Sequence, residues 1–405
     1  MHVDRRTFWL GGGVIVIAVL IVSWVLVPNL AERVGWRWQE FWASTRRQVL
    51  QLPDTLPTAV SVAAAAPTPA MPTPEAVVTL PPSPVPTQPR PAPPPQAELS
   101  GVTQVWQRVN NCGPATLAMA LSFWGWKGTQ ANTANALKPD PNDRNVSPEE
   151  MAAYARKVGL HAEIRMGGTL PRVKDLIAAG FPVLLQTTVL LPEKGWEGHY
   201  TLVTGYSDER QQVTTQDSLR GPNFIQTYAD LERDWRAFNF LYIVLYPPER
   251  QADLDAALGP DLDAQAALRR SASVAQAETA RLTEQDLAFA WFNLGTSLTA
   301  SGEWAGAAGA YDAARQTGLP WRMLWYQHGP LEAYFQAGRY TEVVALAEAT
   351  LAQADNIEEV YYWRGRARAA LGDVAGAAED WRAALGYNRN FAAPVQALAE
   401  AGLTP

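Results

Sequence analysis

A proline-rich stretch divides this 405-residue sequence into parts that must fold separately. Fifteen of the 31 prolines lie between Pro53 and Pro95. Each proline removes a backbone donor and fixes φ, so such a run favours an extended, polyproline-like chain over a packed core. We therefore predict that residues 53–98 form a disordered, semi-rigid linker. The alternative is a proline motif that binds another protein.

The segment before this linker has the composition of a membrane anchor. Residues 8–27 are apolar and uncharged. They are long enough to cross a bilayer core of about 30 Å, and they show no polar face. We predict an uncleaved transmembrane helix after a short tail, residues 1–7, rather than a cleaved signal peptide. Because Arg5 and Arg6 precede the segment, we expect a single-pass protein of the cell membrane whose later domains are extracytoplasmic.

Residues 28–52 contain tryptophans among charged residues, namely Trp36, Trp38 and Trp42. Tryptophan prefers the boundary between membrane and water, so we predict an amphipathic juxtamembrane segment that lies on the bilayer surface. The alternative is a plain juxtamembrane helix without a role in lipid binding.

The charge and the scarce sulfur and imidazole groups exclude several classes of function. The formal net charge is −7, and no cluster of Lys and Arg is present, so nucleic acid is not expected as a partner. One cysteine and four histidines allow no internal disulfide and give no zinc-site pattern. We predict no metal and no cofactor.

The single cysteine, Cys112, occupies a position that suits a nucleophile. Residues 110–114 are typical of a turn, and residues 115–124 are strong helix formers with apolar side chains at helical spacing. Cys112 is therefore expected in the first turn of a buried helix, where the helix dipole and free N–H groups stabilise a thiolate. The alternative is a small cysteine that only packs in the core.

A predicted hairpin supplies the groups that a cysteine nucleophile needs. Residues 198–206 and 211–216 have the β-branched and aromatic composition of strands, with a turn between them. His199 lies at the start of the first strand and Asp217 follows the second, so an antiparallel hairpin brings them together. The carboxylate then orients the imidazole, which takes the proton of Cys112.

Three further residues are candidates for the substrate cleft. Gln107 precedes Cys112 by five residues, and its side-chain amide can stabilise an oxyanion together with the backbone N–H of Cys112. Gln104 is the alternative donor, and a surface glutamine is the alternative role for Gln107. Trp196 and Gly198 come just before the histidine and are expected to border the cleft, although simple packing is an equal alternative for Trp196.

The remaining segments around these residues predict a domain of mixed α+β class. Ser147 and Glu150 form a capping box at the start of a helix, and residues 171–179 form another helix. Residues 182–189 and 240–246 are predicted strands.

Short motifs in a fixed order connect this domain with a known family. They are Gln107, residues 110–116, residues 198–200 and residues 217–218. In this respect residues 99–248 resemble the bacteriocin-processing, double-glycine peptidases, and most closely the stand-alone peptidase-like domains of that family. The resemblance implies a papain-like fold in which Cys112 is the nucleophile, His199 the base, Asp217 the orienting acid and Gln107 the oxyanion donor.

The C-terminal part of the sequence contains an internal repeat. A glycine followed two residues later by Trp, Tyr or Val recurs at Gly302, Gly338 and Gly372, with spacings of 36 and 34 residues. Residues 288–405 resemble tetratricopeptide repeats, in which helix pairs stack into a solenoid and commonly bind a peptide or protein partner. The alternative is a module that only stabilises its neighbour. Residues 249–287 are expected to form a helical connector.

Together these patterns predict a membrane-anchored cysteine peptidase that hydrolyses peptide bonds, with repeats that bind a substrate or partner protein. Two alternatives use the same residues. One is an inactive peptidase-like adaptor that binds peptides, and the other is an acyltransferase with the same Cys–His–Asp triad.

Overall fold

The computed structural model describes residues 45, 49, 54–59, 92–140, 142–191 and 195–405. The predicted tail 1–7 and transmembrane helix 8–27 lie outside these residues, as does the juxtamembrane segment 28–52 apart from residues 45 and 49. Among the described helices, none combines the length and hydropathy needed to cross a bilayer.

A seven-stranded sheet forms the centre of the N-terminal folded part, and all of its strand pairs are antiparallel. Its strands are β1 (Gln96–Glu98), β2 (His161–Arg165), β3 (Val183–Leu191), β4 (Gly195–Ser207), β5 (Gln212–Asp217), β6 (Gly221–Thr227) and β7 (Tyr242–Tyr246). The order is β2-β7-β3-β4-β5-β6, and β1 pairs with the end of the long strand β4.

Helices cover both faces of this sheet. They are α1 (Cys112–Phe123), α2 (Gln130–Leu137), α3 (Pro148–Lys157), α4 (Leu170–Ala178), α5 (Tyr228–Arg236) and α6 (Gln251–Leu258). Neighbouring strand residues point to opposite faces, so Leu202 packs in a core with α1 and α3, whereas Val203 packs with α4, α5 and α6. This is a papain-like α+β domain, as predicted.

Helix α1 is anchored to β4, and this contact positions the candidate nucleophile. Leu117 and Leu121 are fully buried, and the Thr116 hydroxyl donates to the carbonyl of Tyr200 at 3.0 Å. Helix α1 begins at Cys112, so this residue lies in the first turn of the helix, as the sequence predicted.

Several local predictions agree with the structure. Ser147 and Glu150 form the reciprocal capping box of α3, and the predicted strands and helices of this domain exist with boundaries shifted by a few residues. One detail was wrong, because β4 begins at Gly195 and His199 therefore lies inside the strand. The extension arises because residues 195–199 pair with the end of β3.

The predicted linker 53–98 is wrong at both ends. Residues 96–98 carry no proline and pair with β4 as strand β1. At the other end, Leu56 is 2% exposed within the C-terminal core, and its N–H donates to the carbonyl of Leu319 at 3.0 Å. The Arg315 guanidinium also donates to the carbonyl of Pro57. Both ends of the predicted linker therefore form backbone hydrogen bonds with folded parts of the chain, through N–H and C=O groups that proline does not remove.

Eight helices form the C-terminal part of the described chain, which we call the helical region (residues 264–405). They are α7 (Ala264–Thr279), α8 (Glu284–Ala300), α9 (Trp304–Thr317), α10 (Gly329–Gln336), α11 (Tyr340–Gln353), α12 (Glu358–Ala370), α13 (Val374–Tyr387) and α14 (Ala392–Glu400).

Glycines permit close helix packing at equivalent places in this region. A Cβ atom on Gly295 of α8 would lie 2.7 Å from the ring of Tyr311 on α9, and one on Gly365 of α12 would lie 2.5 Å from the indole of Trp381 on α13. The glycine and the ring are 16 residues apart in both cases, so the two helix pairs share one packing arrangement.

The predicted connector 249–287 does not act as one unit. Its first helix, α6, contributes Leu254 and Leu258 to the core of the sheet domain. Its second helix, α7, packs on α8 and α9 through Ala275, Leu294 and Ala310. The connector is thus divided between the two parts that it joins.

Candidate active site

Cys112 and His199 meet where the first turn of α1 approaches β4. His199 is 2% exposed, it lines the same cleft as Cys112, and it lies close enough for Cys112 to raise the pKa of its imidazole. Gly113 allows the close approach of the neighbouring loop, because a Cβ there would lie 3.2 Å from Cβ of Val146. The N–H of Cys112 lies at the N-terminus of α1, where backbone donors have no acceptor within the helix.

Asp217 holds the other side of the imidazole. Nε2 of His199 lies 3.0 Å from Oδ2 of Asp217, which leaves Nδ1 as the ring nitrogen for the sulfur. The second carboxylate oxygen, Oδ1, accepts the backbone N–H groups of Leu219 and Arg220 at 2.8 Å each. The Arg220 guanidinium donates to Oδ2 at 3.3 Å. The carboxylate is therefore fixed from several directions.

The charges of this pair support each other. Burial opposes a charged imidazole, but Asp217 and then Cys112 outweigh it and raise the pKa of His199 to about 9. Burial also opposes the charged form of Asp217 and by itself would raise the pKa of this carboxyl group. His199 and the two backbone N–H groups outweigh that effect and hold the pKa well below its usual range. At neutral pH the pair is an imidazolium beside a carboxylate.

Gln107 is held beside Cys112 by Ser218. The Ser218 hydroxyl donates to Oε1 of Gln107 at 2.8 Å, and the backbone N–H of Gln107 donates to the carbonyl of Ser218 at 2.9 Å. The Nε2 group of Gln107 has no acceptor among the described residues and is free to donate into the cleft that Gln107 lines with Cys112.

Gln104, the alternative donor, has a structural contact instead. Its Nε2 donates to the carbonyl of Asp217 at 2.9 Å, and Gln104 does not line the cleft. Gln104 therefore supports the end of β5, and of the two candidate donors only Gln107 lines the cleft with Cys112.

The cleft has a volume of about 500 Å³, which suits a few residues of an extended peptide. Its lining includes Cys112, Gln107 and His199. Within the described chain, no group of three or more His, Cys, Asp and Glu side chains has the arrangement of a metal site.

Trp196 and Gly198 have different positions with respect to this cleft. Gly198 lines it, whereas Trp196 does not. Trp196 stacks on Phe238, with ring centroids 6.0 Å apart, and also contacts Phe289 and Tyr326. Of the two roles left open for Trp196, the structure favours simple packing, because Phe238 and two rings of the helical region cover its indole.

Sequence reasoning missed the part of the cleft that the helical region supplies. Trp325 and Tyr326, which precede α10, line the cleft with the loop residues Arg144, Asn145 and Val146. No motif links them to Cys112, and more than 200 residues separate the two positions in the sequence. The contact arises only from packing.

Residues 94–243 match the Peptidase_C39 like family. The matched part contains Gln107, Cys112, His199 and Asp217, and over this range the chain is similar to the C39-like peptidases. The helical region lies outside the match, although Trp325 and Tyr326 contribute to the cleft of this domain.

Similar solved structures include three peptidases. The peptidase domain of Streptococcus ComA, a bi-functional ABC transporter involved in a quorum sensing pathway, is 16% identical, with a TM-score of 0.29 and coverage of 36% of this chain and 99% of that chain. A double glycine motif protease from an AMS/PCAT transporter, in complex with the leader peptide, is 16% identical, with a TM-score of 0.28 and coverage of 37% and 94%. Xylellain, a cysteine protease from Xylella fastidiosa, is 15% identical, with a TM-score of 0.28 and coverage of 38% and 87%. No curated protein sequence matches the chain.

Proposed function

We propose that the C39-like domain is an active peptidase that cleaves peptide bonds through Cys112, His199 and Asp217. The observation that carries this proposal is the position of the His199 imidazole, which shares one cleft with Cys112 and bonds to the buried carboxylate of Asp217 at 3.0 Å. An inert packing cysteine needs neither an imidazole nor a buried carboxylate, and burying both groups without a use is costly.

In the proposed reaction, the Cys112 thiolate attacks the carbonyl carbon of the scissile bond. The oxyanion that forms accepts hydrogen bonds from Gln107 Nε2 and the backbone N–H of Cys112. The C–N bond then breaks as the His199 imidazolium gives its proton to the leaving amine, which leaves a thioester. Water attacks the thioester, its proton passes to His199, and the carboxylic acid product departs as the thiolate re-forms.

A test of this proposal needs no known substrate. Wild-type protein and the Cys112→Ala variant are incubated with a proteome-derived peptide library, and new N-termini are identified by mass spectrometry. We expect cleavage by wild type and its complete loss in Cys112→Ala, with an unchanged melting temperature. Equal cleavage by both proteins would disprove the assignment, and a wild type that cleaves nothing would favour a peptide-binding adaptor.

An acyltransferase differs from a peptidase only in the acceptor of the thioester. The same incubation with an added primary amine separates the two reactions. A peptidase gives free carboxylates, whereas an acyltransferase gives products enlarged by the mass of the amine.

We also propose that residues 8–27 anchor the protein in the cell membrane with the peptidase on the extracytoplasmic side. Sequence hydropathy and the position of Arg5 and Arg6 support this arrangement. Accessibility of a C-terminal epitope tag to protease on intact cells tests it, because a cytoplasmic domain would be protected.

Tetratricopeptide-type binding by the helical region is part of the same proposal. The shared packing of Gly295 on Tyr311 and of Gly365 on Trp381 supports a repeat origin of these helix pairs. We propose that this region binds a protein or peptide partner. Affinity capture with residues 1–405 carrying Cys112→Ala, compared with the same protein lacking residues 358–405, tests for such a partner.

A further inference from the structure

A short turn of the helical region forms one side of the cleft. Met323–Trp325 is a single 3₁₀ turn between α9 and α10, and Trp325 is 2% exposed. The Nδ2 group of Asn145 donates to the carbonyl of Trp325, and the Arg144 guanidinium lies 4.2 Å from the centre of the Trp325 ring. The turn therefore packs against the loop of residues 144–146, which lines the cleft with Cys112.

A buried ion pair also connects the same turn to strand β4. Arg322 donates to Glu197 at 2.7 Å, and both side chains are largely buried. The Arg322 guanidinium also lies over the rings of Trp321 and Trp325, at 4.7 and 5.0 Å from their centres. Removing one partner of such a pair leaves an uncompensated buried charge, so this contact holds the turn in one position.

Tyr326 reaches the residue next to the catalytic histidine. A Cβ atom on Gly198 would lie 3.0 Å from the rings of Tyr326 and Phe238, so a larger residue at this position would push against the Tyr326 ring. Tyr326 is also close enough to Cys112 for the charge of a thiolate to raise the pKa of its phenol, after the larger effects of burial and Glu197.

The side of the cleft that these residues build is mainly apolar, because Trp325 and Tyr326 line it with Val146, Val189 and Leu191. Its two charged side chains are engaged by other residues. Glu197 pairs with Arg322, and the Arg144 guanidinium donates to Asn356 and lies over the Trp325 ring. A charged substrate side chain would lose its hydration here without gaining a free counter-charge, whereas an apolar side chain gains by burial.

We infer that Trp325 and Tyr326 form a specificity subsite that selects an apolar side chain beside the scissile bond. The inference rests on the proposed peptidase function and extends it by naming the substrate class. It also means that the helical region is part of the peptidase itself. A C39-like domain without the helical region would lack one wall of its substrate cleft.

The test uses peptidyl vinyl sulfones, which trap the thiol without amide hydrolysis. The thiolate adds to the alkene carbon, a C–S bond forms, and the adjacent carbon takes a proton. Probes carry leucine or aspartate at one of the two positions nearest the electrophile and glycine at the other. Each labelling rate is divided by the iodoacetamide rate of the same protein, so that differences in thiol reactivity cancel.

We expect wild type to react about tenfold or more faster with a leucine probe than with its aspartate counterpart. The ratio should fall towards one in Tyr326→Ala and persist in Tyr326→Phe, which keeps the ring. Trp363→Ala is the matched control, since Trp363 packs within the helical region away from the cleft and should leave the ratio unchanged.

Two results would overturn the inference while leaving the proposed function intact. One is a wild-type protein that labels readily but shows no preference for leucine. The other is a preference that Tyr326→Ala leaves intact, with melting temperatures showing that every variant is folded. A wild-type Cys112 that resists iodoacetamide would overturn the proposed function itself, and the subsite with it.

Discussion

Nε2 of His199 lies 3.0 Å from Oδ2 of Asp217, although 18 residues separate them in the sequence. The hairpin of β4 and β5 produces this contact, because the last residues of β5 return beside the middle of β4. Two backbone N–H groups then fix the free oxygen of Asp217. The geometry of the proposed base is thus set by strand pairing.

The pH dependence of peptidase activity should report the loss of the proton from the His199 imidazolium. Its pKa is raised to about 9, so the imidazolium persists through neutral pH, and peptidase activity should decline as the pH rises through about 9. Asp217→Asn removes the charge that raises this pKa, and the alkaline limb should move down by about one unit or more. A pH profile of kcat/KM measures the shift, and an identical alkaline limb in both proteins would contradict it.

The same titration affects stability in a defined direction. The pKa of His199 is higher in the folded protein than the ordinary value of about 6.5. The stabilisation is therefore fully present below about pH 6.5 and is lost as the pH rises to about 9. Asp217→Asn should weaken this dependence, which melting curves between pH 6 and pH 9 will show.

Gln107→Ala should lower peptide cleavage by about 10²–10³-fold in kcat, because one oxyanion donor is lost. Alkylation of Cys112 by iodoacetamide develops no oxyanion, so its rate should fall far less. Ser218→Ala is the matched control, since it removes only the hydroxyl that orients Gln107 and should cause a smaller loss. Equal losses in cleavage and alkylation would mean that Gln107 supports the fold instead.

Carboxyl groups are buried where the helical region meets the loop beside the cleft. Burial, followed by neighbouring carboxylates, raises the pKa of Glu359 to about 8. Burial also raises the pKa values of Asp143 and Glu358 well above their usual range. Oε1 of Glu358 accepts a hydrogen bond from Asn388 at 3.0 Å.

These groups should make the protein less stable in alkali. Their pKa values are about 4 in an unfolded chain and higher when folded, so the folded state binds more protons and stability falls as the pH rises from about 4 towards 9. Glu358→Gln removes one ionisation and keeps the acceptor oxygen, so it should raise the melting temperature more at pH 9 than at pH 6. The exposed Glu303→Gln serves as control, and an equal effect at both pH values would contradict the prediction.

Leu56 should hold the segment 54–59 on the helical region. Its side chain is 2% exposed, and Leu→Ala in a core costs about 2–5 kcal/mol. We expect this short segment to open locally before the rest of the protein unfolds, so Leu56→Ala should mainly speed cleavage by a nonspecific protease near residue 56. Thr58→Ala alters an exposed side chain and should cleave like wild type. Wild-type cleavage rates in Leu56→Ala would show that the segment is not held by this side chain.

Local sequence patterns predicted the parts of the site that depend on short-range structure. The apolar spacing after Cys112 predicts α1, and the paired β-branched runs predict the hairpin that joins His199 to Asp217. Gln107 was found for the same reason, since it lies only five residues from the cysteine. Each of these positions depends on one helix start or one hairpin.

Contacts between distant parts of the chain could not be predicted, because no local sequence pattern indicates them. The sequence placed Trp196 next to His199 but did not indicate that Phe238 and Tyr326 cover it. Trp325 lines the cleft from a turn that carries no recognisable motif. Leu56 lies in the segment that was predicted to be a disordered linker. That prediction used proline content, which describes the backbone and does not indicate whether a single apolar side chain packs in a core.

The most direct test of the account is the rate at which iodoacetamide alkylates Cys112 at pH 6 in wild type and in His199→Gln. An ordinary thiol has a pKa near 8.5 and is almost fully protonated at pH 6, so it reacts slowly. If His199 carries the proton of Cys112, wild type should react rapidly and His199→Gln roughly a hundredfold more slowly, with both proteins folded. Equal rates in the two proteins would contradict the central claim that this imidazole activates the cysteine.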